Sequence, residues 1–183
     1  MTARTVPTMP SFLAGQKLTA TLLNQIGTYN TFWTSPPMFR MYQSAVQSIP
    51  NATNTQVTMN VGTGAGTWDT DSGRSSVSPY SYTIPVGMTG RWRFTWAVEW
   101  AFNATGARVA VLYQNGSPVT GDTDDVAANN DFTAEIGTGT VLVNAGDVMS
   151  VWAYQNSGGA LNTAAAGQFA SFFEGQLVSL ANP

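Results

Sequence analysis

Between Arg91 and Phe102 the chain reads Arg-Trp-Arg-Phe-Thr-Trp-Ala-Val-Glu-Trp-Ala-Phe. Trp92, Phe94, Trp96, Val98, Trp100 and Phe102 are large and apolar, and every residue between them is small or polar. Successive side chains of a strand point to opposite sides of a sheet, so this alternation predicts a strand with all six large residues on one buried face. A helix would spread them around its circumference. Aromatic rings also suit a pleated, half-buried surface. The stretch is expected to be the central strand of an antiparallel sheet, with Arg91, Arg93 and Glu99 turned towards solvent or a second subunit.

The front of the chain follows a different period. Residues 1–14 contain Pro7 and Pro10, which deny a regular helix. Thr19 then stands where an N-cap belongs, and Leu22, Leu23, Ile26, Tyr29 and Trp33 recur at helical spacing. The spacing predicts a helix over about 20–32, stopped by Ser35-Pro36-Pro37. So short an amphipathic helix needs a surface to lie on. That surface is either the rest of the chain or another protein, and the position ahead of a Pro-Pro break favours the second. Phe12, Leu18, Leu22, Leu23, Ile26, Tyr29 and Trp33 are then the docking residues of an arm, 1–38, carried by a body, 39–183, that folds without it.

Beyond Phe39 the pattern stays with strands. Phe39–Ile49, Val57–Val61, Tyr80–Val86, Arg108–Gln114, the region of Phe132, Ala134, Ile136 and Val141–Val143, Val148–Gln155 and the closing run to Leu180 read as strands separated by Gly-, Pro- and Asn-rich turns. Asn115-Gly116 is a strong two-residue hairpin signal. About eight to ten strands with no helix between them predict a mostly β, antiparallel fold, a β-sandwich or jelly roll, preceded by an extended arm with one short α-helix.

Composition removes several chemistries. The chain has no histidine and no cysteine, which excludes disulfides, thiolate nucleophiles, His-based triads and the usual zinc ligands. Charged residues are only 9% against the roughly 25% of an average soluble protein, which suits a protein held in an assembly. Residues 1–38 carry Arg4 and Lys17 and no acid, whereas the body holds all 10 acidic residues against five arginines. Without clustered Lys and Arg, nucleic acid is not an expected partner. No run is apolar enough to span a membrane, and residues 1–30 show no signal-peptide pattern.

Few residues remain as candidates for binding or catalysis. Asp69 and Asp71 lie in an Asp-Thr-Asp-Ser-Gly run that suggests calcium, but counting from Asp69 the sixth and twelfth positions are Arg74 and Tyr80, not the Gly and Glu of an EF-hand loop. An Asx-type turn is the simpler use. Asp122, Asp124 and Asp125 form the densest acidic patch, a second calcium candidate or a solvated loop tip. Glu99 and Glu174 are the pair that a glycoside hydrolase would require, although pairing with Arg91 or Arg93 across a sheet is simpler. No cofactor and no enzyme activity are expected. Tyr42, Trp68, Tyr113, Trp152 and Tyr154 are left to line a subunit interface or to stack on sugars.

Five short segments occur in a familiar order: Tyr82-Thr-Ile-Pro-Val86, Gly90-Arg-Trp-Arg-Phe-Thr-Trp96, Arg108 to Gly116, Gly146-Asp147, and Ser171-Phe-Phe-Glu-Gly-Gln-Leu177. Over residues 39–180 the chain resembles the globular heads of complement component one-q and its tumour-necrosis-factor-like relatives. That resemblance implies a ten-stranded jelly roll and a homotrimer. The front, Phe12-Leu-Ala-Gly-Gln-Lys-Leu-Thr-Ala-Thr-Leu-Leu-Asn24, resembles the opening of tailed-bacteriophage structural proteins, and Phe173–Pro183 resembles the end of actinobacteriophage minor tail proteins. It implies a virion component assembled in the host cytoplasm: a trimeric minor tail or short-fibre protein anchored to other virion proteins through residues 1–38 and facing the host surface, with a host glycan as a further partner. A capsid decoration protein uses the same parts, and a free carbohydrate-binding module is a third expectation.

Overall fold

The computed structural model describes residues 4–62, 64–127, 133–164 and 170–181, with the side chains of 120–127 left out. Among these residues one helix, α1 (Ala20–Thr34), precedes twelve strands: β1 (Met38–Tyr42), β2 (Ser48–Ile49), β3 (Thr55–Gln56), β4 (Trp68–Asp69), β5 (Tyr82–Thr83), β6 (Gly90–Trp100), β7 (Ala107–Gln114), β8 (Ser117–Ala127), β9 (Thr133–Val143), β10 (Val148–Gln155), β11 (Leu161–Asn162) and β12 (Phe172–Leu180). Five of the strands form one sheet in the order β4-β1-β12-β6-β9. A second sheet runs β3-β10-β7-β8, with β5 also on β10, and β2 pairs with β11. All these strand pairings are antiparallel. The molecule is a mostly β, antiparallel sandwich with one helix ahead of it, as the strand pattern predicts.

Strand β6 lies between β12 and β9, one position in from the edge. Trp92, Phe94, Trp96, Val98 and Trp100 are fully buried against the second sheet, while Arg91 and Arg93 on the other face are exposed. Phe102 departs from the expected pattern. Pairing ends at Trp100, the chain leaves the sheet, and Phe102 is 57% exposed. A strand's alternation places a residue inside only as far as the ladder continues.

The indoles of Trp92 and Trp96 are satisfied locally and across the sandwich. Trp92 Nε1 donates to the Met88 carbonyl at 3.0 Å, and Trp96 Nε1 donates across the core to the Ala110 carbonyl on β7 at 3.3 Å. The rings lie on glycines. A Cβ on Gly137, the register partner of Trp96 on β9, would fall 2.2 Å from the Trp96 ring, and one on Gly175 of β12 would fall 2.6 Å from Phe39 and 2.7 Å from Phe94. Large rings on one strand and bare backbone on its neighbours are therefore one packing solution. Leu112, Val151, Met149 and Ala153 close it from the second sheet.

The two ends of the sandwich are closed differently. At the end where β6 finishes, buried Gln43, Thr163, Ser171 and Gln155 form hydrogen bonds instead of an apolar plug. Thr163 Oγ1 donates to Gln43 Oε1 at 2.7 Å, and Gln155 Nε2 donates to the Ile49 and Gly159 carbonyls at 3.0 and 2.9 Å. Paired buried polar groups of this kind fix one arrangement of loops, because leaving any of them unpaired is costly.

At the end where β6 begins sit α1 and the segment before it. Thr19 caps the helix, its side chain accepting from the Leu22 N–H at 3.3 Å, and Ser35 ends it before Pro36 and Pro37. The helix runs two residues past the expected Phe32. Phe32 is 4% exposed and belongs to the core, with Trp33 and Val6 packed beside it. The last turn of α1 therefore forms part of the body's wall, while its earlier turns stand largely exposed.

Two substitutions test this packing at fixed protein concentration. Trp96→Ala should cost about 3–5 kcal/mol through a core cavity. Gly137→Ala, which adds one methyl group under the same ring, should cost about 1–3 kcal/mol through overpacking. Denaturant midpoints with unchanged slopes check both, and a neutral Gly137→Ala would show that the ring is free to move.

Candidate functional site

The arm is a hairpin of unlike halves. Residues 4–13 form neither helix nor strand. A turn at Gly15 (φ +79°) is closed by the Gln16 N–H donating to the Leu13 carbonyl at 3.0 Å and by Gln16 Oε1 accepting from the Leu13 N–H at 2.9 Å. α1 then returns beside the extended half. Phe12, Leu13, Leu18 and Leu23 are 50%, 77%, 59% and 52% exposed. Leu22, Ile26, Tyr29 and Trp33 are half-buried, and Tyr29 meets Trp33 edge to face with ring centres 6.3 Å apart. Of the expected docking residues, then, Phe12, Leu18 and Leu23 are exposed, and the other four are partly covered by their own chain.

The calcium candidates separate into two cases. Asp69 behaves as the hub of an Asx-type turn: its carboxylate accepts from the N–H groups of Asp71, Gly73 and Arg74 at 3.3, 3.2 and 3.0 Å. The Asp71 side chain is fully buried and pairs with Arg4, Nε to Oδ1, at 3.2 Å. Both carboxylates thus have protein partners. Among the described residues no group of three or more Asp or Glu is arranged to hold a metal. Asp122, Asp124 and Asp125 are on β8, not on a loop tip, because β7 draws this acidic stretch into its ladder: Asp125 opposes Val109 and Asp124 opposes Ala110. Their side chains lie outside the described residues.

Glu99 and Glu174 stand apart along the sheet. Glu174 opposes Thr95 on β6, four residues from Glu99, which is about 13 Å along a strand and beyond the 5–9 Å that glycoside hydrolysis uses. Nor does Glu99 pair with Arg91 or Arg93. All three share one strand, and six residues separate even Arg93 from it, about 20 Å. The ion pair forms instead between register partners: Arg40 Nη1 donates to Glu174 Oε2 at 2.8 Å. The Arg40 guanidinium also lies 4.5 Å from the Phe172 ring centre and 5.8 Å from that of Trp68. Around this group the outward face of the first sheet carries exposed Trp68, Ile136, Leu142 and Val178 with exposed Arg91 and Arg93.

A residue not singled out from the sequence organises the far end. Arg108 is 1% exposed and donates to the carbonyls of Thr105, Ala107 and Asn103 at 2.9, 3.0 and 3.2 Å, fixing the loop that follows exposed Phe102. Burial pushes its pKa down, opposed by the charge of buried Glu135. Period-two counting back from Ala110 and Leu112 is the signal that places Arg108 inside. The neighbouring loops are tied to one another, Gly158 N–H donating to Asn51 Oδ1 at 2.7 Å and Ala107 N–H to Asn156 Oδ1 at 2.6 Å. Of the other aromatics, Tyr113 and Trp152 stack on each other at 4.7 Å.

Solved structures of the same architecture exist. The Eiger tumour necrosis factor of S. frugiperda superposes with a TM-score of 0.59 at 9% identity, covering 80% of this chain and 95% of that one. The globular domain of zebrafish complement 1qA gives 0.52 at 15% identity, covering 79% and 99%. Murine APRIL gives 0.52 at 11% identity, covering 77% and 98%. At these identities the likeness is one of fold: the body is a jelly roll of the tumour-necrosis-factor and complement one-q type. No protein-family model and no curated protein matches the chain by sequence.

Two carboxyl groups make opposite predictions for stability against pH. Burial raises the pKa of Glu99 above its unfolded value, so its ionisation is disfavoured in the fold and the penalty grows as pH rises through that window. Glu99→Gln should raise the melting temperature at pH 7 and leave it unchanged near pH 3. At Asp147 burial acts upward but is outweighed by hydrogen bonds from Asn115, the Asn144 N–H and Gln114, so its pKa is lowered. Its contribution is present above the unfolded value and lost as pH falls through the folded one. Asp147→Asn should therefore lower the melting temperature at pH 7, and the deficit should shrink on acidification.

Proposed function

We propose that this protein is a non-catalytic structural component of a bacteriophage virion, a trimeric minor tail or short-fibre protein anchored by residues 1–38. The observation that carries the reading is polarity of placement. The arm, with Phe12, Leu13, Leu18 and Leu23 exposed, is seated where β6 begins, and the tied loops around Asn51, Asn103 and Asn156 crown the end where β6 finishes. Monomeric soluble proteins rarely leave contiguous large apolar residues in water, and such patches mark interaction sites. An arm at one end and presented loops at the other suit a protein that grips a particle and shows its head outward.

The homotrimer is proposed on the family resemblance and on the outward face of the first sheet. Trp68, Ile136, Leu142 and Val178 are 40–59% exposed there, beside Arg91 and Arg93, which form no ion pair among the described residues. A second copy would cover this face. Residues of the crown, including Phe102, then face the host.

The anchor is tested by Leu18→Asp with Leu23→Asp in the full chain. The double variant should remain folded and trimeric but be missing from purified particles. Incorporation at the parent level would remove the arm from the attachment role. Gold-labelled antibody on intact particles locates the protein, and labelling confined to capsids would replace the tail assignment with that of a decoration protein. Separately, Ile136→Asp with Leu142→Asp should convert trimer to monomer in sedimentation. An unchanged sedimentation coefficient would move the subunit interface elsewhere.

A further inference from the structure

The extended half of the arm is held by hydrogen bonds and an ion pair only near its two ends. Between it and α1 lie a cleft of about 710 Å³, with Arg4, Thr5 and Pro7 opposite Leu23, Gly27 and Phe32, and another of about 340 Å³, with Met9 and Pro10 opposite Leu22 and Gln25. Among the described residues, no hydrogen bond joins residues 5–12 to the helix or the body. One end is the Gly15 turn. The other is Arg4, with Val6 packed on the core beside it.

Arg4 touches three places at once. Its Nε is 3.2 Å from Asp71 Oδ1, its Nη1 donates to the Ser35 carbonyl at the end of α1, and its guanidinium lies 5.9 Å from the centre of the Phe32 ring. The Asp71 side chain is 0% exposed, and Oδ1 has no hydrogen-bond partner of its own, so Arg4 supplies the charge that faces this oxygen. A buried carboxylate without a counter-charge is strongly unfavourable. The body thus carries a ready socket for one arginine of the arm.

We infer that residues 4–14 are a strap closed over α1 by a clasp of Arg4 and Asp71, and that release of the clasp uncovers the helix face bearing half-buried Leu22 and completes the exposure of Leu23. This deepens the docking reading of the arm, on which its use depends: a particle protein that binds the uncovered helix draws the strap open, because a ligand shifts an equilibrium towards the state it binds better. Segments with few hydrogen bonds and loose packing are those that open locally. Here the loosely packed part is bounded by one turn and one partly exposed ion pair.

The absence of cysteine allows two nitroxides to be placed at chosen sites in the full chain, at Thr5→Cys and Thr28→Cys, both lining the larger cleft, with labelled chain diluted in unlabelled chain so that the distance read lies within one subunit. Pulsed dipolar spectroscopy should give one narrow, short distance in this background. Adding Arg4→Gln, or Asp71→Asn, should move much of the distribution outward by on the order of 10 Å, within the roughly 33 Å that ten residues from Gly15 can reach. The fluorescence of anilinonaphthalene sulfonate should rise severalfold in both variants, with near-UV circular dichroism of the tryptophan core retained. If both variants keep the narrow distance, the clasp does not hold the strap. If the distance lengthens without a rise in dye binding, the strap is not a cover. No partner enters these measurements, so their failure and the failure of particle docking are read separately.

Discussion

The fold depends on rings meeting bare backbone. Trp96 lies over Gly137 on one neighbour of its strand, and Phe94 and Phe39 lie over Gly175 on the other. A sheet carrying three tryptophans and a phenylalanine on one strand is too crowded to accept side chains at every partner position. Glycine at those two register points lets the rings lie flat and brings β7 close enough for Trp96 to reach the Ala110 carbonyl. Glycine in a strand interior normally weakens it. Here packing against an aromatic face offsets that loss, and it gives the Phe-x-Gly-x-Leu pattern of β12 a physical meaning.

Much of this is legible in the sequence because period two is a strong signal when the two faces differ in kind. Trp92 to Trp100 announces its buried face, and the helix announces its N-cap at Thr19 and its stop at Pro36. The same rule explains what is not legible. The acidic stretch of β8 contains Pro118, Gly121 and three aspartates, so it carries no alternation, and it becomes a strand only because β7 offers an open edge and Asn115-Gly116 turns the chain back onto it. Strands of two residues, such as β2, β3 and β11, are too short for any period. Phe102 looks buried only when the pattern is extended two residues beyond the end of its ladder.

Charge is legible only in bulk. With so few ionisable residues, each pair sits at a structural joint: Arg40 with Glu174 between register partners, Arg108 near Glu135 beneath a loop, Arg4 with Asp71 between arm and body. The first follows from strand order and the second from alternation, but neither order nor period links Arg4 to Asp71. They meet because the arm's hairpin returns Arg4 to the sandwich. Arm and body share that joint, since Phe32 and Arg4 belong to the one in sequence and to the other in packing.

The two closed ends of the sandwich behave differently for the same reason. Hydrogen bonds of glutamine and threonine are directional, so they hold the Asn51, Asn103 and Asn156 loops in one arrangement and resist sliding. The arm's end is held by the rings of Phe32 and Trp33, by Val6, and by the contacts of Arg4 with Asp71 and the Ser35 carbonyl. The loops at one end are thus fixed by directional bonds, and the arm at the other by packing and one ion pair. The stiffness of the aromatic core between them preserves that separation, because interiors packed ring on backbone do not deform continuously.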